Sequence, residues 1–371
     1  MADIFDYLKW RGDIPFETDP FNDVDNLILA ELAYTDFDGI LNSGSVKISL
    51  KEADRQYFEL HAREDIKEDS GHIKRAPLLM DGMLSGRRFR STKITNYVDV
   101  VNSGKDMQIA ALTFILPDGS AYVSFRGTDN TIVGWKEDFN MSYQPETEGQ
   151  RNAVRYLNEA AARTRRPLRV GGHSKGGNFA VYAAAFCDKK VQDRIINVYT
   201  NDGPGFRHEV MASEEYKRIV PKVISIVPDT SIIGMLLTSR VKHMTVKSSV
   251  SGIAQHDAMT WQVERNRFEL SEPSALGLFI KESQKNWLSR IDDESRESFV
   301  NTLFSVFEAT GMYTFGEIKG QKLKAFERMY DSLKEIPKER QAEFMAIIGG
   351  LLQSGSHVAR DAISDKLKQG D

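Results

Sequence analysis

Apolar residues run in short uninterrupted blocks through the middle of this chain and recur at helical spacing towards both ends. Gln108 to Leu116 and Ser120 to Phe125, rich in β-branched and aromatic residues and joined by Pro117-Asp118-Gly119, predict a hairpin. Further strand-like blocks follow at Leu168 to Gly171, Ile195 to Thr200, Lys222 to Val227 and Val241 to Ser248. Helical patterns separate them at Glu148 to Ala162, Asn178 to Phe186 and about Glu209 to Ile219. This alternation predicts an α/β fold with a mostly parallel sheet, helices on both faces and chemistry at the carboxyl ends of the strands.

Before this core, Asn26 to Tyr34 reads as a helix capped by an aspartate, and Ile48 to Asp69, which includes His61, as solvated helix. From about Glu264 the spacing is helical, with Phe299, Leu303, Val306 and Phe307 on one stripe and Phe344, Ile347, Ile348 and Leu351 on another. The expected organisation is a mostly helical N-terminal extension over 1–104, a core over 105–263 and a helical region over 264–371.

Composition narrows the function. A formal net charge of -4 and a pI near 6.1 argue against nucleic acid as a main partner. The single cysteine, Cys187, excludes an internal disulfide framework and fits a reducing compartment, so a cytoplasmic location is expected. The first residues lack the basic and apolar stretches of a signal peptide, and Ile232 to Leu237 is too short to span a bilayer. Peripheral membrane contact stays open. The basic run Arg87-Arg88-Phe89-Arg90 is read as surface, with phosphate or lipid-headgroup binding as the alternative. No histidine, cysteine and carboxylate grouping has metal-ligand spacing, so no metal or organic cofactor is expected.

The strongest chemical signal is Gly172-His173-Ser174-Lys175-Gly176-Gly177, set between a predicted strand and a predicted helix. Gly-x-Ser-x-Gly in that setting is the nucleophile-elbow pattern. The serine sits on a strained turn, and Cβ atoms two residues either side would collide with neighbouring chain. A phosphate-binding loop is excluded because Lys175 precedes Gly176 instead of following it. A glycine turn whose serine only caps the following helix is the competing reading.

A serine hydrolase on this scaffold needs an acid and then a histidine after the serine. Of seven histidines, His208, His243, His256 and His357 lie beyond the elbow. His256, in the loop Gly252 to Asp257 just past the last strand, is preferred as base over His243, which enters a strand. Asp229, ending the second strand after the elbow, is preferred as acid, with Asp202 the runner-up. The oxyanion hole calls for the Lys175 amide and a donor from Arg126-Gly127-Thr128, with Thr128 favoured.

Phe125-Arg126-Gly127-Thr128 with Trp135 beyond it, and Gly172 to Gly177, resemble the class 3 (fungal triglyceride-type) lipases of the α/β-hydrolase superfamily. Pro20 to Leu29 and Asn201-Asp202-Gly203-Pro204-Gly205 resemble a bacterial branch of that group, catalogued as a domain of unknown function. The resemblance implies an α/β-hydrolase fold, Ser174, Asp229 and His256 as catalytic residues, and Thr128 and Lys175 as the oxyanion hole. It further implies a lid-like segment from Asp129 to Asp138 and a substrate pocket drawing on Trp135, Ile232, Ile233 and Leu236. Lipases of the group usually carry leucine where this chain has Lys175, and a cation there would suit an anionic or polar substrate. The expected function is a serine esterase, lipase or lysophospholipase acting on a small-molecule or lipid ester. The alternatives are a thioesterase or amidase with the same residues, and a non-catalytic scaffold on the same fold.

Overall fold

The computed structural model describes residues 1–41, 46–67, 72–129, 131–231, 233–234, 237–288, 291–313, 321–338, 340–341 and 344–345. Its centre is an eight-stranded sheet whose strands follow one another in chain order. They are β1 (Ile48–Ser49), β2 (Lys93–Asn102), β3 (Met107–Ile115), β4 (Ala121–Phe125), β5 (Leu168–His173), β6 (Ile195–Asn201), β7 (Val223–Pro228) and β8 (His243–Val246). Pairings from β1 to β4 are antiparallel, and those from β4 to β8 are parallel. The mostly parallel sheet, with helices packed on both faces, has the α/β arrangement that the chain's alternation predicts.

The helices of the N-terminal region are α1 (Ile4–Arg11), α2 (Asp23–Leu32), α3 (Leu50–Leu60), α4 (Arg63–Lys67), α5 (His72–Arg75) and α6 (Leu79–Ser85). Through the core run α7 (Ile132–Asn140), α8 (Glu148–Ala162), α9 (Lys175–Phe186), α10 (Lys189–Gln192), α11 (His208–Ala212) and α12 (Glu214–Ile219). After it come α13 (Ala275–Leu288), α14 (Asp293–Glu308) and α15 (Lys322–Glu335).

Two apolar clusters cover the two faces of the sheet. One joins α1, α2 and α6 to Leu112, Phe114, Tyr122, Tyr199 and Trp261. The other joins α8, α9 and α12 to Val123, Phe125, Val170 and Val198. A smaller third cluster holds Phe299, Val300 and Phe304 of α14 against Ile132 of α7.

Besides α1 to α6, the N-terminal region supplies β1 and β2 to the sheet, strands that its helical pattern does not predict. β2 carries Val98, Val100 and Val101 at β-branched positions and pairs along most of β3, with a register shift between Thr95 and Val98. α2 starts on a capping box in which the Asn22 side chain accepts from the Val24 and Asp25 amides and the Asp25 carboxylate accepts from the Asn22 amide. The cap is thus Asn22, with the aspartate three residues later closing the box. Every residue of α2 from Val24 to Leu32 is buried, so this helix is core and not a covering layer.

The basic run is also corrected at one position. Arg87 and Arg90 are exposed, but Arg88 is fully buried. Its guanidinium donates to Asp25 at 2.7 and 2.5 Å and to the carbonyls of Ile14, Asp19 and Pro20. A guanidinium satisfied on all sides has no donor left for a phosphate. Behind the core, the chain forms a short hairpin of β9 (Val263–Glu264) and β10 (Arg267–Phe268) before helices resume at Ala275. The helical region therefore begins about one hairpin later than its periodicity suggests.

Candidate active site

Ser174 sits between β5 and α9 with φ 57° and ψ -131°, a conformation that costs an L-residue energy and persists only where surroundings enforce it. The enforcement is visible. The Ser174 amide donates to the Asn201 carbonyl at 2.9 Å, and the Gly177 amide donates to the Ser174 carbonyl at 2.8 Å. A Cβ on Gly172 would lie 2.4 Å from the Phe125 carbonyl oxygen, and one on Gly176 would lie 2.0 Å from the same atom. Both glycines are therefore obligatory, because the turn is pressed against the end of β4. The serine is a strained elbow, and its side chain caps no helix.

His256 ends the 3₁₀ turn Gly252–His256 and places its Nε2 3.0 Å from Ser174 Oγ. Its Nδ1 lies 2.7 Å from Asp202 Oδ2. A carboxylate facing Nδ1 fixes the tautomer that leaves Nε2 bare, ready to accept the serine proton. Asp202 is buried, and its other oxygen accepts from the Ser231 hydroxyl and, at 3.2 Å, from the Gly234 amide. Held at both oxygens, the carboxylate cannot swing away from the imidazole.

The acid preferred from sequence, Asp229, is not the carboxylate beside the His256 ring. Its Oδ1 accepts from the Thr230 hydroxyl and from Gln255 Nε2, each at 2.9 Å. Asp229 thus anchors the residue before His256 and leaves the ring to Asp202. The register explains the exchange. His173 pairs with Asn201 across β5 and β6, so the next residue on each strand, Ser174 and Asp202, leaves the sheet at the same level. β7 is one strand further from the elbow. The sequence signal for Asp202 was its glycine-rich turn, where the aspartate itself takes φ 49°.

The turn Arg126-Gly127-Thr128 packs directly on Ser174, since a Cβ on Gly127 would lie 2.9 Å from Ser174 Cβ. Arg126 is held to Asp99 of β2 by two bonds of 2.6 and 3.0 Å. The Thr128 hydroxyl donates to Asp138 Oδ2 at 2.5 Å, which removes it from the list of free donors. Burial pushes the Asp138 carboxyl up to about 6, with the Lys175 charge and the Thr128 hydrogen bond pulling the other way.

Lys175 opens α9, so its amide is one of the helix's unpaired N-terminal donors. Its side chain does not present a cation to the site. The ammonium is buried 3.2 Å from Glu137 Oε2 and also donates to Gln108 Oε1 and the Gly134 carbonyl. Glu137 in turn accepts from the amides of Gln108 and Gly149. The expectation that this lysine favours an anionic substrate fails, because its charge is already neutralised inside the protein.

This pair also ties α7, which holds most of the segment read as lid-like, to the elbow helix. Trp135 packs on the apolar cluster that α7 shares with α14. Ile233 is partly buried, while Ile232 and Leu236 lie outside the described residues. A cavity is lined by Asp229, Ser231, Val241, His243 and Leu278. His243 Nδ1 is 2.8 Å from Ser225 Oγ, a contact within the sheet edge. Cys187 is buried and its thiol is pushed up to about 12 by burial, so it is a poor nucleophile. Among the described residues, no cluster of histidine, cysteine or carboxylate groups could hold a metal ion, and no helix is long and apolar enough to cross a membrane.

A family model described as Mbeg1-like matches residues 83–305, more than half of the chain. The chain belongs to the Mbeg1-like family. In this member the matched span runs from the end of α6 into α14 and takes in the elbow, His256 and Asp202. No curated protein matches the chain. Among solved structures it is similar to the M37 lipase, at 14% identity and TM-score 0.35, covering 57% of this chain and 68% of that one. It is similar too to a fungal lipase in complex with an inhibitor, at 14% identity and TM-score 0.36, covering 66% of this chain and 79% of that one.

Proposed function

We propose that this protein is a serine hydrolase that cleaves a carboxylic ester through an acyl-enzyme, with Ser174 as nucleophile, His256 as base and Asp202 as orienting acid. The observation that carries this reading is the continuous hydrogen-bonded path from Ser174 Oγ through the His256 ring to Asp202. His256 Nε2 takes the serine proton as Oγ attacks the ester carbonyl. The Asp202 carboxylate stabilises the imidazolium so formed. The oxyanion that develops is met by the Lys175 amide, supplied by the N-terminus of α9, and by the backbone of Thr128. Its hydroxyl, held by Asp138, fixes that turn. Collapse expels the alcohol with the proton from His256, and water then repeats the sequence on the acyl-enzyme.

The substrate class that fits is a lipid or small-molecule ester. With the Lys175 ammonium neutralised by Glu137, the hole has no built-in preference for an anionic substrate. The acyl chain would lie near Ile233 and the cavity lined by Ser231 and Leu278, and peripheral contact with a lipid surface would supply it. A cytoplasmic setting accords with a single buried cysteine.

Labelling of the purified protein with a fluorophosphonate tests the reading. Wild type should label, and Ser174→Ala and His256→Ala should not. p-Nitrophenyl esters of graded chain length would then measure the depth of the acyl site. Folded wild-type protein that stays unlabelled would remove the hydrolase reading and favour a binding role for this scaffold.

A further inference from the structure

A buried carboxyl group on the N-terminal helix has no place in the mechanism above. Glu31 of α2 is fully buried, and neither of its oxygens has a hydrogen-bond partner. Such a group is costly, and its retention calls for an explanation. Its surroundings supply one. Glu31 Oε1 lies 3.5 Å from Nδ1 of His173, the residue immediately before the nucleophile. The same Nδ1 lies 2.9 Å from the Tyr34 hydroxyl. The other ring nitrogen of His173, Nε2, lies 2.8 Å from the backbone carbonyl of His256. The two imidazoles stack with centroids 4.7 Å apart and planes inclined by 34°.

A carbonyl oxygen only accepts, so Nε2 of His173 carries a hydrogen in every state of the ring. Nδ1 then has two options. It is bare and accepts from Tyr34 beside a neutral Glu31, or it is protonated and donates to Tyr34 beside a Glu31 carboxylate. The glutamate and histidine together carry no net charge in either form, and the forms differ by one proton moved between neighbours. An unpaired charge on either member alone would be expensive in this interior. Burial, with a smaller contribution from the Asp257 charge, holds the Glu31 carboxyl well above the usual carboxylate range.

We propose that Glu31, with Tyr34 and His173, is a positioning residue for the catalytic base: it holds the His173 ring so that Nε2 grips the His256 backbone and the two imidazoles stay stacked. The inference rests on the assignment of His256 as base. It makes α2, which lies outside the span matched by the family model, a working part of the site. The ionisable groups that bear on this set are Asp257 towards Glu31, Arg126 and Asp138 towards Tyr34, and Arg75 and His256 towards Asp257. A buried acid without hydrogen-bond partners is poor for stability, so a positioning role and a merely structural one make opposite predictions.

Glu31→Leu separates them, because leucine fills much the same volume and removes the unpartnered oxygens. The melting temperature should equal or exceed that of wild type. kcat on a p-nitrophenyl ester should fall roughly 10- to 100-fold. KM should stay within about threefold, and the acid limb of the kcat/KM profile should move. Glu31→Gln, which keeps shape and polarity, should recover most of the loss. Should leucine prevent folding, Glu31→Met carries the same test. A Glu31→Leu or Glu31→Met protein with wild-type kcat and an unmoved acid limb overturns the proposal. The His256 ring resonances, followed by NMR in wild type and the leucine variant at one pH, are independent of turnover. They should move when the His173 ring loses its support, and identical resonances overturn the proposal even if wild type proves to hydrolyse nothing.

Discussion

The two regions flanking the core are attached to it by different physics. The N-terminal region is wired in through buried polar groups. Arg88 and Asp25 form a fully buried pair, the Tyr7 hydroxyl donates to Asp25, Asn26 bonds Asn201 and Tyr122, and Asp99 holds the Arg126 turn. Among the described residues, the C-terminal helices meet the core mainly through the small apolar cluster on α7 and through bridges such as Arg207 to Asp293, in which Asp293 is half exposed. Buried polar pairs have strict geometry and no tolerance for a missing partner, whereas apolar contact and exposed ion pairs loosen gradually. The difference predicts that the N-terminal region shares the fate of the candidate site and that the C-terminal helices respond separately.

Arg88→Met should test the first half of that contrast with the largest effect. It strands the Asp25 carboxylate in the interior, and the whole core should lose about 3–5 kcal/mol in a single urea transition. A loss below about 1 kcal/mol would mean that the extension is only draped over the sheet.

Lys175→Met should come next. It strands Glu137 beneath α7 and should cost about 3 kcal/mol, most of it regained in the Lys175→Met/Glu137→Met double variant. Additive losses in the double variant would show that the two side chains are not one unit.

Phe304→Ala should have the smallest global effect, under about 1 kcal/mol, while amide exchange across α14 rises. A cooperative loss of the entire fold would erase the distinction between the two flanks.

Much of this was legible in the chain. The strands of the core follow alternation and β-branched runs, and the elbow follows from glycines whose absent Cβ atoms leave room for Phe125. Ser174 and His256, which the structure brings within 3.0 Å of each other, stood out in the chain because a strained turn and a loop after the last strand constrain their neighbours in sequence. Asp202 was passed over for Asp229, since both end strands and only strand register decides which one faces the imidazole. The burial of Arg88 and Lys175 was likewise hidden. Each is a charge whose partner, Asp25 or Glu137, is distant in sequence, and a charged residue read alone looks solvated. β2 was missed for a related reason, as its outer half is exposed and its polar residues dilute the alternation.

The most direct test of the account compares two aspartates. Asp202→Asn and Asp229→Asn should both leave a folded protein, and kcat on a p-nitrophenyl ester reads the difference. Asp202→Asn is predicted to lower kcat by roughly ten-thousand-fold, because the amide favours the wrong imidazole tautomer. Asp229→Asn should lower it by less than about tenfold, through a loosened Gln255 alone. The reverse order, with Asp229→Asn inactive and Asp202→Asn near wild type, would contradict the arrangement on which the account rests.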